Sequence, residues 1–412
     1  MSASRLANAG EHAHMRDMAP DGLPRAAAAV QPGRLAVRRL VLSDFRGYRQ
    51  ARLAVDERPV VLTGPNGAGK TNLLEAVSFL APGRGLRRAR LGEVDRRPPP
   101  AADAPPAGPW AVAAAVATPT GRVEIGTGRE ATAGGGERRV VRVDGTMARS
   151  QTALAEHVNL VWLTPQMDRL FLEGSSARRR FFDRLVYGFD PGHAARVGAY
   201  EQALRERGRL LRGGRVDQAW LAALEETMAR HGVAIAAARR DAAARLDAAC
   251  AAGIGGFPRA ELAAAGTVED WLAGHPALAV EDLLRDRLAQ SRRQDAESGG
   301  AAIGPHRSDL AVHHGGSGVA AAQCSTGEQK ALLIAVLIAH ARLQTALRGA
   351  APIMLLDEVA AHLDATRRMA LFAELTALGT QAWMTGTDAM LFAPLAGAAQ
   401  FLHVADAVIG AA

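Results

Sequence analysis

The sequence predicts an α/β fold in which a mixed sheet carries a phosphate-binding loop and an α-helical lobe is inserted into the chain. The first observation is the segment Gly64–Thr71, which fits the pattern G-x-x-x-x-G-K-[ST] between an apolar run and an amphipathic run. The second is Ile353–Leu356, four apolar residues followed by two acids. The third is the stretch 193–252, which is rich in Ala, Leu and Arg and has apolar residues at helical spacing.

The segments on either side of Gly64–Thr71 support its assignment as a phosphate-binding loop as strongly as its glycines do. Pro59–Thr63 predicts a short buried strand before the loop, and Asn72–Leu80 predicts an amphipathic helix after it. Glycines let backbone N–H groups turn towards phosphate oxygens, and the helix N-terminus adds positive potential. We expect Lys70 to reach the β- and γ-phosphates as a catalytic group and the Thr71 hydroxyl to ligate Mg²⁺. The candidate nucleotide contacts in the loop are Gly64, Pro65, Asn66, Gly67, Ala68, Gly69, Lys70 and Thr71.

The use of lysine supports this interpretation. Of the 49 Lys and Arg residues only two are lysines, Lys70 and Lys330. A compact ammonium fits among phosphates where a forked guanidinium would not. A chain that uses Arg almost everywhere but keeps Lys70 in this loop therefore favours nucleotide binding.

Length and composition set the remaining bounds. The 412 residues, 48% of them hydrophobic, can form two or three domain-sized units or one large core with an inserted lobe. The net charge of +7 suits a nucleic-acid partner, and two cysteines are too few for a disulfide framework. There is no run of 18 uncharged apolar residues and no signal-peptide pattern, so we expect a cytoplasmic protein without a membrane span.

The N-terminal part predicts an extension followed by strands. Residues 1–33 are rich in Ala, Pro, Gly and His, which indicates a disordered extension. Two strand-like runs at 35–42 and 51–55 enclose a turn with Arg46, which either contacts nucleotide or is an exposed turn arginine. A basic cluster at 84–97 and a Pro/Ala-rich linker follow. Further strand-like segments predict a meander, at 110–116, 122–125 and 138–145.

The middle of the chain predicts one more buried strand and then helices. Gln166 follows the strand at 159–164 and either contacts Mg²⁺ or the attacking water, or is a polar loop residue. An arginine run interleaved with aromatics predicts a helix from near Ser176, whose arginines form a solvated face or contact phosphate. Gly213-Gly214 separates two helices within 193–252, and another is predicted at 280–293. The candidate DNA contacts are Arg87, Arg88, Arg178, Arg179 and Arg180.

The C-terminal third carries two further motifs. Ser325 is a plausible N-cap of an apolar helix, with Glu328 at capping-box spacing, and this helix N-terminus is also a candidate second phosphate site. The strand Ile353–Leu356 ends in Asp357 and Glu358, at the edge where α/β sheets hold ligands. We expect Asp357 to hold Mg²⁺ through water and Glu358 to polarise the attacking water as the catalytic carboxylate. A helix at 365–378 and a buried strand at 381–385 complete the pattern.

The order of these motifs resembles that of ABC-type ATPases and, within them, the RecF family. The resemblance implies an ABC-type ATPase head in which a P-loop mixed sheet forms lobe I, at 34–175 and 300–412, and an α-helical lobe II is inserted at 176–299. It covers most of the chain from residue 35 onward, in segments 40–48, 66–76, 174–183, 303–310, 325–329 and 355–364.

The family resemblance also implies cofactors and partners. The cofactors would be ATP and Mg²⁺, and an ATP-dependent homodimer would form in which each subunit's signature segment completes the other's site through Ser325, Gly327, Glu328 and Gln329. Such a dimer would clamp duplex DNA near single-strand gaps and, with RecO and RecR, help to load the RecA recombinase in gap repair, DNA replication and the SOS response.

Two departures from the family pattern concern hydrolysis. Thr326 and Glu328 stand where ABC signatures more often carry Gly or Gln, and no histidine follows Met384 at the switch position, where Thr385 or Thr387 stands. We therefore expect slow hydrolysis that serves a switch rather than a motor.

Three other function classes compete with this interpretation. An SMC-like structural chromosome-binding ATPase is the alternative that we retain, although it would need hundreds of heptad residues. A nuclease-coupled ABC ATPase would need a further acidic cluster after the core. A transporter subunit is disfavoured by the missing switch histidine and the basic helical insertion.

Overall fold

The computed structural model describes residues 33–96, 108–131, 136–213 and 217–411. The expected N-terminal extension, except Gly33, and most of the Pro/Ala-rich linker lie outside these residues, as does Gly214. The helices are α1 (Lys70–Ser78), α2 (Ser175–Phe189), α3 (His193–Arg212), α4 (Gln218–Ala251), α5 (Thr267–Gly274), α6 (Ala277–Gln290), α7 (Arg292–Ser298), α8 (Thr326–Arg348) and α9 (Ala365–Leu378). The strands are β1 (Ala36–Phe45), β2 (Tyr48–Ala54), β3 (Val60–Thr63), β4 (Ala111–Thr118), β5 (Gly121–Ala131), β6 (Glu137–Val143), β7 (Thr146–Met147), β8 (Leu160–Leu163), β9 (Ala260–Ala265), β10 (Asp309–His314), β11 (Ile353–Leu356), β12 (Ala382–Gly386), β13 (Gln400–Ala405) and β14 (Val408–Ala411).

A six-stranded, mostly parallel sheet runs through the core in the order β14-β13-β3-β12-β11-β8. Strand β14 is antiparallel to β13, and the other neighbours are parallel. All residues of β3, β8 and β11 are buried, as expected for parallel strands covered on both faces. The sheet lies between two hydrophobic clusters: in β11, Met354 and Leu356 pack with α8 and α9, whereas Ile353 and Leu355 pack with α1 and the second sheet.

The second six-stranded sheet is antiparallel, in the order β2-β1-β4-β5-β6-β7. Strands β1 and β2, which the sequence predicts as two runs with a turn between them, pair as a hairpin around Arg46, and β4, β5 and β6 form the predicted meander. Trp110, before β4, packs against Phe45 and Phe79, so this sheet and α1 share one core. Helix α1, which follows the phosphate loop, is therefore packed between the two sheets.

Helices α2 to α7 occupy the stretch in which the sequence predicts helices. Helices α3, α4 and α6 share a hydrophobic cluster that includes Tyr200, Met228 and Leu284. A buried ion network joins α3, α4 and α7, because Arg207 lies 2.9 Å from Glu225 and 2.8 Å from Asp295. Such a network is costly to break, since removing one partner leaves an uncompensated buried charge.

One antiparallel pair was not anticipated from the sequence. Strand β9, within the predicted helical lobe, pairs with β10 over six residues. The sequence of β9, Ala-Glu-Leu-Ala-Ala-Ala, has helix propensity, which the long-range pairing overrides. Strands β13 and β14, which extend the parallel sheet beyond β3, were not anticipated either.

Helix α8 is the most apolar long helix of the described part of the chain. Its length and hydropathy would allow it to cross a membrane, but most of it is buried inside the protein. Residues Ala331–Ala339 of α8 all lie in the core cluster between the parallel sheet and α4. It is therefore a core helix.

Candidate nucleotide-binding site

The phosphate loop joins the C-terminal end of β3 to the N-terminus of α1, as the sequence predicts. Gly64 has φ 141°, and an added Cβ there would overlap the carbonyl oxygen of Val404 in β13. Gly69 has φ 112°, and an added Cβ would lie 2.7 Å from the Tyr48 hydroxyl. Both positions thus need glycine because of left-handed backbone and close neighbours. Gly67 has φ 81°, again left-handed backbone, although an added Cβ there would meet no neighbour.

Lys70 is held inside the loop by the loop's own backbone. Its Nζ donates hydrogen bonds to the carbonyl oxygens of Gly64 at 2.6 Å and Pro65 at 2.8 Å. Burial lowers the pKa of Lys70, and the carboxylates of Glu358 and Asp357 act in the opposite direction. Its hydrogen-bond partners are neutral carbonyls, so no hydrogen-bonded carboxylate competes with a phosphate ligand for this side chain.

Asp357 and Thr71 are brought together by the ends of β11 and α1. The Thr71 hydroxyl lies 2.9 Å and 3.1 Å from the two carboxylate oxygens of Asp357. The Asp357 backbone N–H donates to the Leu163 carbonyl, which aligns β11 with the end of β8. A hydroxyl and a carboxylate at this separation are the oxygen ligands that Mg²⁺ takes alongside waters and phosphate.

The structure places the third predicted metal ligand, Gln166, at the same edge of the sheet. Gln166 lies in the short helix Pro165–Arg169 that follows β8, and it is exposed. In the described residues no three His, Cys, Asp or Glu side chains form a metal-holding group. Thr71, Asp357 and Gln166 each supply a side-chain oxygen, which is the kind of ligand that Mg²⁺ takes.

Glu358 follows Asp357 in an unusual backbone conformation. Its φ of 52° is left-handed, which costs free energy in a non-glycine residue and needs support from its surroundings. Support comes from Thr385, whose hydroxyl accepts a hydrogen bond from the Glu358 N–H at 2.8 Å and donates one to Asp357 at 2.7 Å. Thr385 thus positions both acidic residues. It was noted in the sequence only as the residue at the place of a switch histidine.

Arg46 is bound to the phosphate-loop helix rather than exposed in its turn. Its guanidinium forms two hydrogen bonds, of 2.8 Å and 2.7 Å, with the fully buried carboxylate of Glu75 in α1, and a third with the Glu93 carbonyl. Arg87 shares the same carboxylate at 2.9 Å. One buried acid therefore holds Arg46 and Arg87, and both face other residues of this chain.

The Ser325–Gln329 segment forms the predicted capping box at the N-terminus of α8. The Ser325 hydroxyl accepts from the Glu328 N–H, and the Glu328 carboxylate accepts from the Ser325 N–H at 2.9 Å and hydroxyl at 2.7 Å. These hydrogen bonds from Ser325 lower the pKa of Glu328. Gln329 is buried and donates to the Cys324 carbonyl. No hydrogen bond or ion pair joins these five residues, all of them described, to Gly64–Thr71 of the same chain.

Lys330, directly after this segment, is a residue whose role the sequence analysis missed. Its buried ammonium lies 3.1 Å from the carboxylate of Asp168, two residues after Gln166. The pair joins the N-terminal turn of α8 to the short helix after β8. The scarcity of lysine in the chain was the signal that could have identified it.

The other predicted DNA contacts have unequal surroundings. Arg178 forms a two-pronged ion pair with Asp309, at 2.8 Å and 2.6 Å, and Arg179 donates to the Ser308 carbonyl and the Ser175 hydroxyl. Arg180 donates to the Ser176 hydroxyl. Burial lowers the pKa of Arg88, and the charges of Arg180 and Arg84 lower it further. Arg178 is thus neutralised within the chain, whereas Arg88 and Arg180 have no acidic partner at ion-pair distance among the described residues.

Comparison with known proteins is consistent across sequence and structure. Residues 36–392 match the family described as "RecF/RecN/SMC N terminal domain". The chain is 48% identical over 377 residues to the DNA replication and repair protein RecF of Rhizobium etli CFN 42, covering 91% of this chain and 98% of that protein. It is also 48% identical over 382 residues to RecF of Agrobacterium fabrum C58, covering 92% and 99%.

Solved structures share the fold. A structure of the recombination mediator protein RecF with ATPrS, in the RecFOR pathway, superposes with a TM-score of 0.79 at 21% identity, covering 92% of this chain and 99% of that chain. A Smc head domain from Pyrococcus furiosus superposes with a TM-score of 0.52 at 14% identity, covering 92% and 96%. The predicted ABC-type head fold is thereby confirmed.

Proposed function

The chain belongs to the RecF family, and from this membership we propose that it is an ATP-dependent DNA-binding protein of recombinational gap repair, DNA replication and the SOS response. Its relatives carry the name DNA replication and repair protein RecF. In this proposal residues 34–175 and 300–412 form the nucleotide-binding lobe I, and residues 176–299 form the helical lobe II. We expect it to act in the cytoplasm.

The observation that carries the proposal is the assembly of Lys70, Thr71 and Asp357 at one edge of the parallel sheet. Lys70 and Thr71 lie in α1, and Asp357 directly follows β11. Thr71 and Asp357 are 286 positions apart, yet the Thr71 hydroxyl lies within 3.1 Å of both Asp357 carboxylate oxygens. ATP with Mg²⁺ would supply a transferable phosphoryl group and the charge to neutralise it. The loop backbone and Lys70 would hold the phosphates, and Thr71, Asp357 and Gln166 would hold the metal ion.

Hydrolysis is assigned to Glu358, which accepts a proton from the attacking water. Its left-handed backbone and its hydrogen bond to Thr385 determine where the carboxylate stands. Because a threonine stands where many ABC ATPases have a histidine, ATP turnover is slow. Slow turnover sets how long the ATP-bound dimer persists. A turnover rate typical of transport ATPases would contradict this assignment.

The functional unit is an ATP-dependent homodimer. The Ser325–Gln329 segment makes no bond to the phosphate loop of its own chain, which supports a role at the partner's site. Ser325, Gly327 and the N-terminus of α8 bind the γ-phosphate held by the other subunit. Loss of that phosphate releases the dimer from duplex DNA near a single-strand gap, where the protein acts with RecO and RecR in loading RecA.

An SMC-like structural protein is the alternative function. In the described residues the longest helix is α4, with 34 residues, and it packs against α3, α6 and α8 rather than extending as a coiled coil. This packing favours the repair function over a chromosome tether.

The test is retention of a gapped DNA duplex by the protein with ATP, with ADP and without nucleotide. We expect retention with ATP only, and prolonged retention by Glu358→Gln, which keeps ATP binding but removes the base. The matched control is Glu226→Gln, an exposed glutamate of α4, which should behave as wild type. Retention that does not depend on nucleotide would refute the ATP-controlled clamp.

A further inference from the structure

A cleft of about 650 Å³ lies at the far end of α1 from the phosphate loop. It opens to solvent beside β6, in the antiparallel sheet. This volume is within the range of pockets that hold a whole small ligand, about 300–1,000 Å³. Its lining contains four arginines and one acid: Arg84, Arg90, Arg138, Arg139 and Glu137, with Gly83, Leu91, Ser150 and Gln151.

Arg139 forms the rigid floor of the cleft. Its guanidinium donates to the Thr127 hydroxyl at 2.8 Å, the Gln151 side chain at 3.1 Å and the Gly83 carbonyl at 2.6 Å. It also donates to the carbonyls of Phe79 and Ala81, just after α1. All of these acceptors are neutral, and burial lowers the pKa of Arg139 to about 10. A half-buried cation with no acidic partner at ion-pair distance among the described residues would gain from an anion beside it.

The other charges around the cleft leave a positive surplus. Glu137 is paired with Arg129 at 2.9 Å, and Arg138 is paired with Glu130 at 2.6 Å. Arg84 and Arg90 are exposed, and no described carboxylate lies at ion-pair distance from either. The cleft therefore presents two unpaired guanidinium groups above a third that is fixed in position.

We propose that this cleft binds phosphate groups of the duplex DNA backbone, with Arg84 and Arg90 as the contacting side chains and Arg139 as the fixed charge beneath them. The inference rests on the proposed function, in which DNA is the partner. Guanidinium groups match phosphate oxygens in two-pronged geometry, and Ser150 and Gln151 add polar groups for single contacts. The open side lets a phosphate enter while the rest of a long duplex remains outside.

The pair Arg84 and Arg90 differs from the arginines of the same sheet that already have partners. Arg39 and Arg122 are also exposed, but they share the one carboxylate of Glu124, at 3.1 Å and 2.6 Å, and neither lines the cleft. An arginine that is already neutralised contributes little to counterion release, whereas an unpaired one contributes fully. The two pairs therefore make matched variants with equal loss of charge.

The experiment measures duplex binding in ATP by fluorescence anisotropy across salt concentrations for wild type, Arg84→Ala/Arg90→Ala and the control Arg39→Ala/Arg122→Ala. Losing two phosphate contacts should make the negative slope of log K against log[salt] shallower by about 1.8. Near 0.1 M salt this corresponds to roughly a 60-fold loss of affinity. The control should keep the wild-type slope. Arg84→Lys/Arg90→Lys keeps the charges and should retain most of the slope.

The outcomes separate the cleft from the proposed function. If wild type binds DNA in ATP and the slope of Arg84→Ala/Arg90→Ala is unchanged, the assignment of the cleft to DNA phosphates is wrong. The proposed function then still stands. Absence of ATP-dependent binding by wild type overturns both. Both variants should unfold at the wild-type temperature, because the replaced side chains are exposed.

A second arm distinguishes backbone phosphate from a small free anion. Inorganic tripolyphosphate should raise the Tm of wild type and of Arg84→Ala/Arg90→Ala equally, through the phosphate loop alone. A Tm shift that the variant loses would make the cleft a small-anion site and overturn its assignment to DNA.

Discussion

Replacing Lys330 by Met tests whether a buried ion pair holds the N-terminus of α8 against the short helix after β8. The Lys330 ammonium lies 3.1 Å from one carboxylate oxygen of Asp168, and the two side chains are 5% and 28% exposed. The other oxygen of Asp168 is buried without a hydrogen-bond partner. Met preserves the length of the side chain and removes its charge.

The expected loss in the free energy of unfolding depends on which charge of the pair remains without a partner. Removing one partner of a buried pair costs about 3–5 kcal/mol when the remaining charge stays buried. In Asp168→Asn the remaining charge is the buried ammonium, so we expect a loss of about 3 kcal/mol. In Lys330→Met the remaining charge is the carboxylate, which is more exposed and can gain water, so we expect only about 1–2 kcal/mol.

The assay is urea unfolding of wild type, both single variants and the double variant. Because the double variant leaves no unpaired charge, its loss should be smaller than the sum of the single losses by about 2 kcal/mol. Arg293→Met is the control, since its ion pair with Glu297 is exposed and should contribute less than about 0.5 kcal/mol. The reasoning is refuted if Lys330→Met costs as much as Asp168→Asn, or if the two losses simply add.

Three further predictions concern pH, the phosphate loop and the acidic pair. Burial lowers the pKa of His340 from 6.5 to about 4, so the unfolded state binds the extra proton and stability falls as the pH drops from 6.5 towards 4. His340 should lower the free energy of unfolding by about 2 kcal/mol at pH 5. In urea unfolding, the free energy of unfolding of His340→Gln should therefore fall less between pH 7 and pH 5 than that of wild type. Gly64→Ala should weaken ATP binding at least about tenfold in calorimetry, because its Cβ cannot coexist with the Val404 carbonyl. Thr385→Val should cost about 1–3 kcal/mol in unfolding and slow ATP turnover, since it leaves the partly buried Glu358 N–H without its acceptor and the Asp357 carboxylate without a buried donor.

Each of these predictions has a control and a contrary outcome. Equal acid sensitivity of His340→Gln and wild type would show that His340 is not responsible. Gly198→Ala, in the exposed face of α3 with open space around it, should leave ATP binding unchanged, and wild-type affinity in Gly64→Ala would contradict the steric argument. Thr385→Ser keeps the hydroxyl and should retain turnover, so equal loss in both Thr385 variants would point to packing instead.

The elements that could be predicted from the sequence are those whose signals are local. The phosphate loop, the strand before it and the helix after it lie within about 20 consecutive residues, and the structure has them nearly where the pattern indicates. The capping box of Ser325 and Glu328 is equally local and is present. Strand β9 was missed for the converse reason: its alanine-rich segment becomes a strand only by pairing with β10, which is some fifty residues away.

Neutralisation of charge was the property that the sequence could not show. Five arginines were predicted as DNA contacts because they occur in basic runs, but Arg87 and Arg178 have buried or partly buried acidic partners. Arg178 and Asp309 are 131 residues apart, and no pattern in either segment indicates the pair. The unpaired arginines of the cleft, Arg84 and Arg90, belong to the basic cluster that the sequence shows at 84–97, but they are not among the five candidate DNA contacts.

The sequence by itself determined which chemical groups the protein has and their immediate backbone setting: the loop glycines, Lys70, Thr71, and the acidic pair at the end of β11. These depend on steric limits and hydrogen bonds within a few residues, which a short segment carries with it. The tertiary structure alone decided which groups meet, such as Thr385 with Asp357, Lys330 with Asp168, and Arg46 with Glu75. The physical reason is that electrostatic and packing interactions act through space, so they depend on distances that only the folded chain sets.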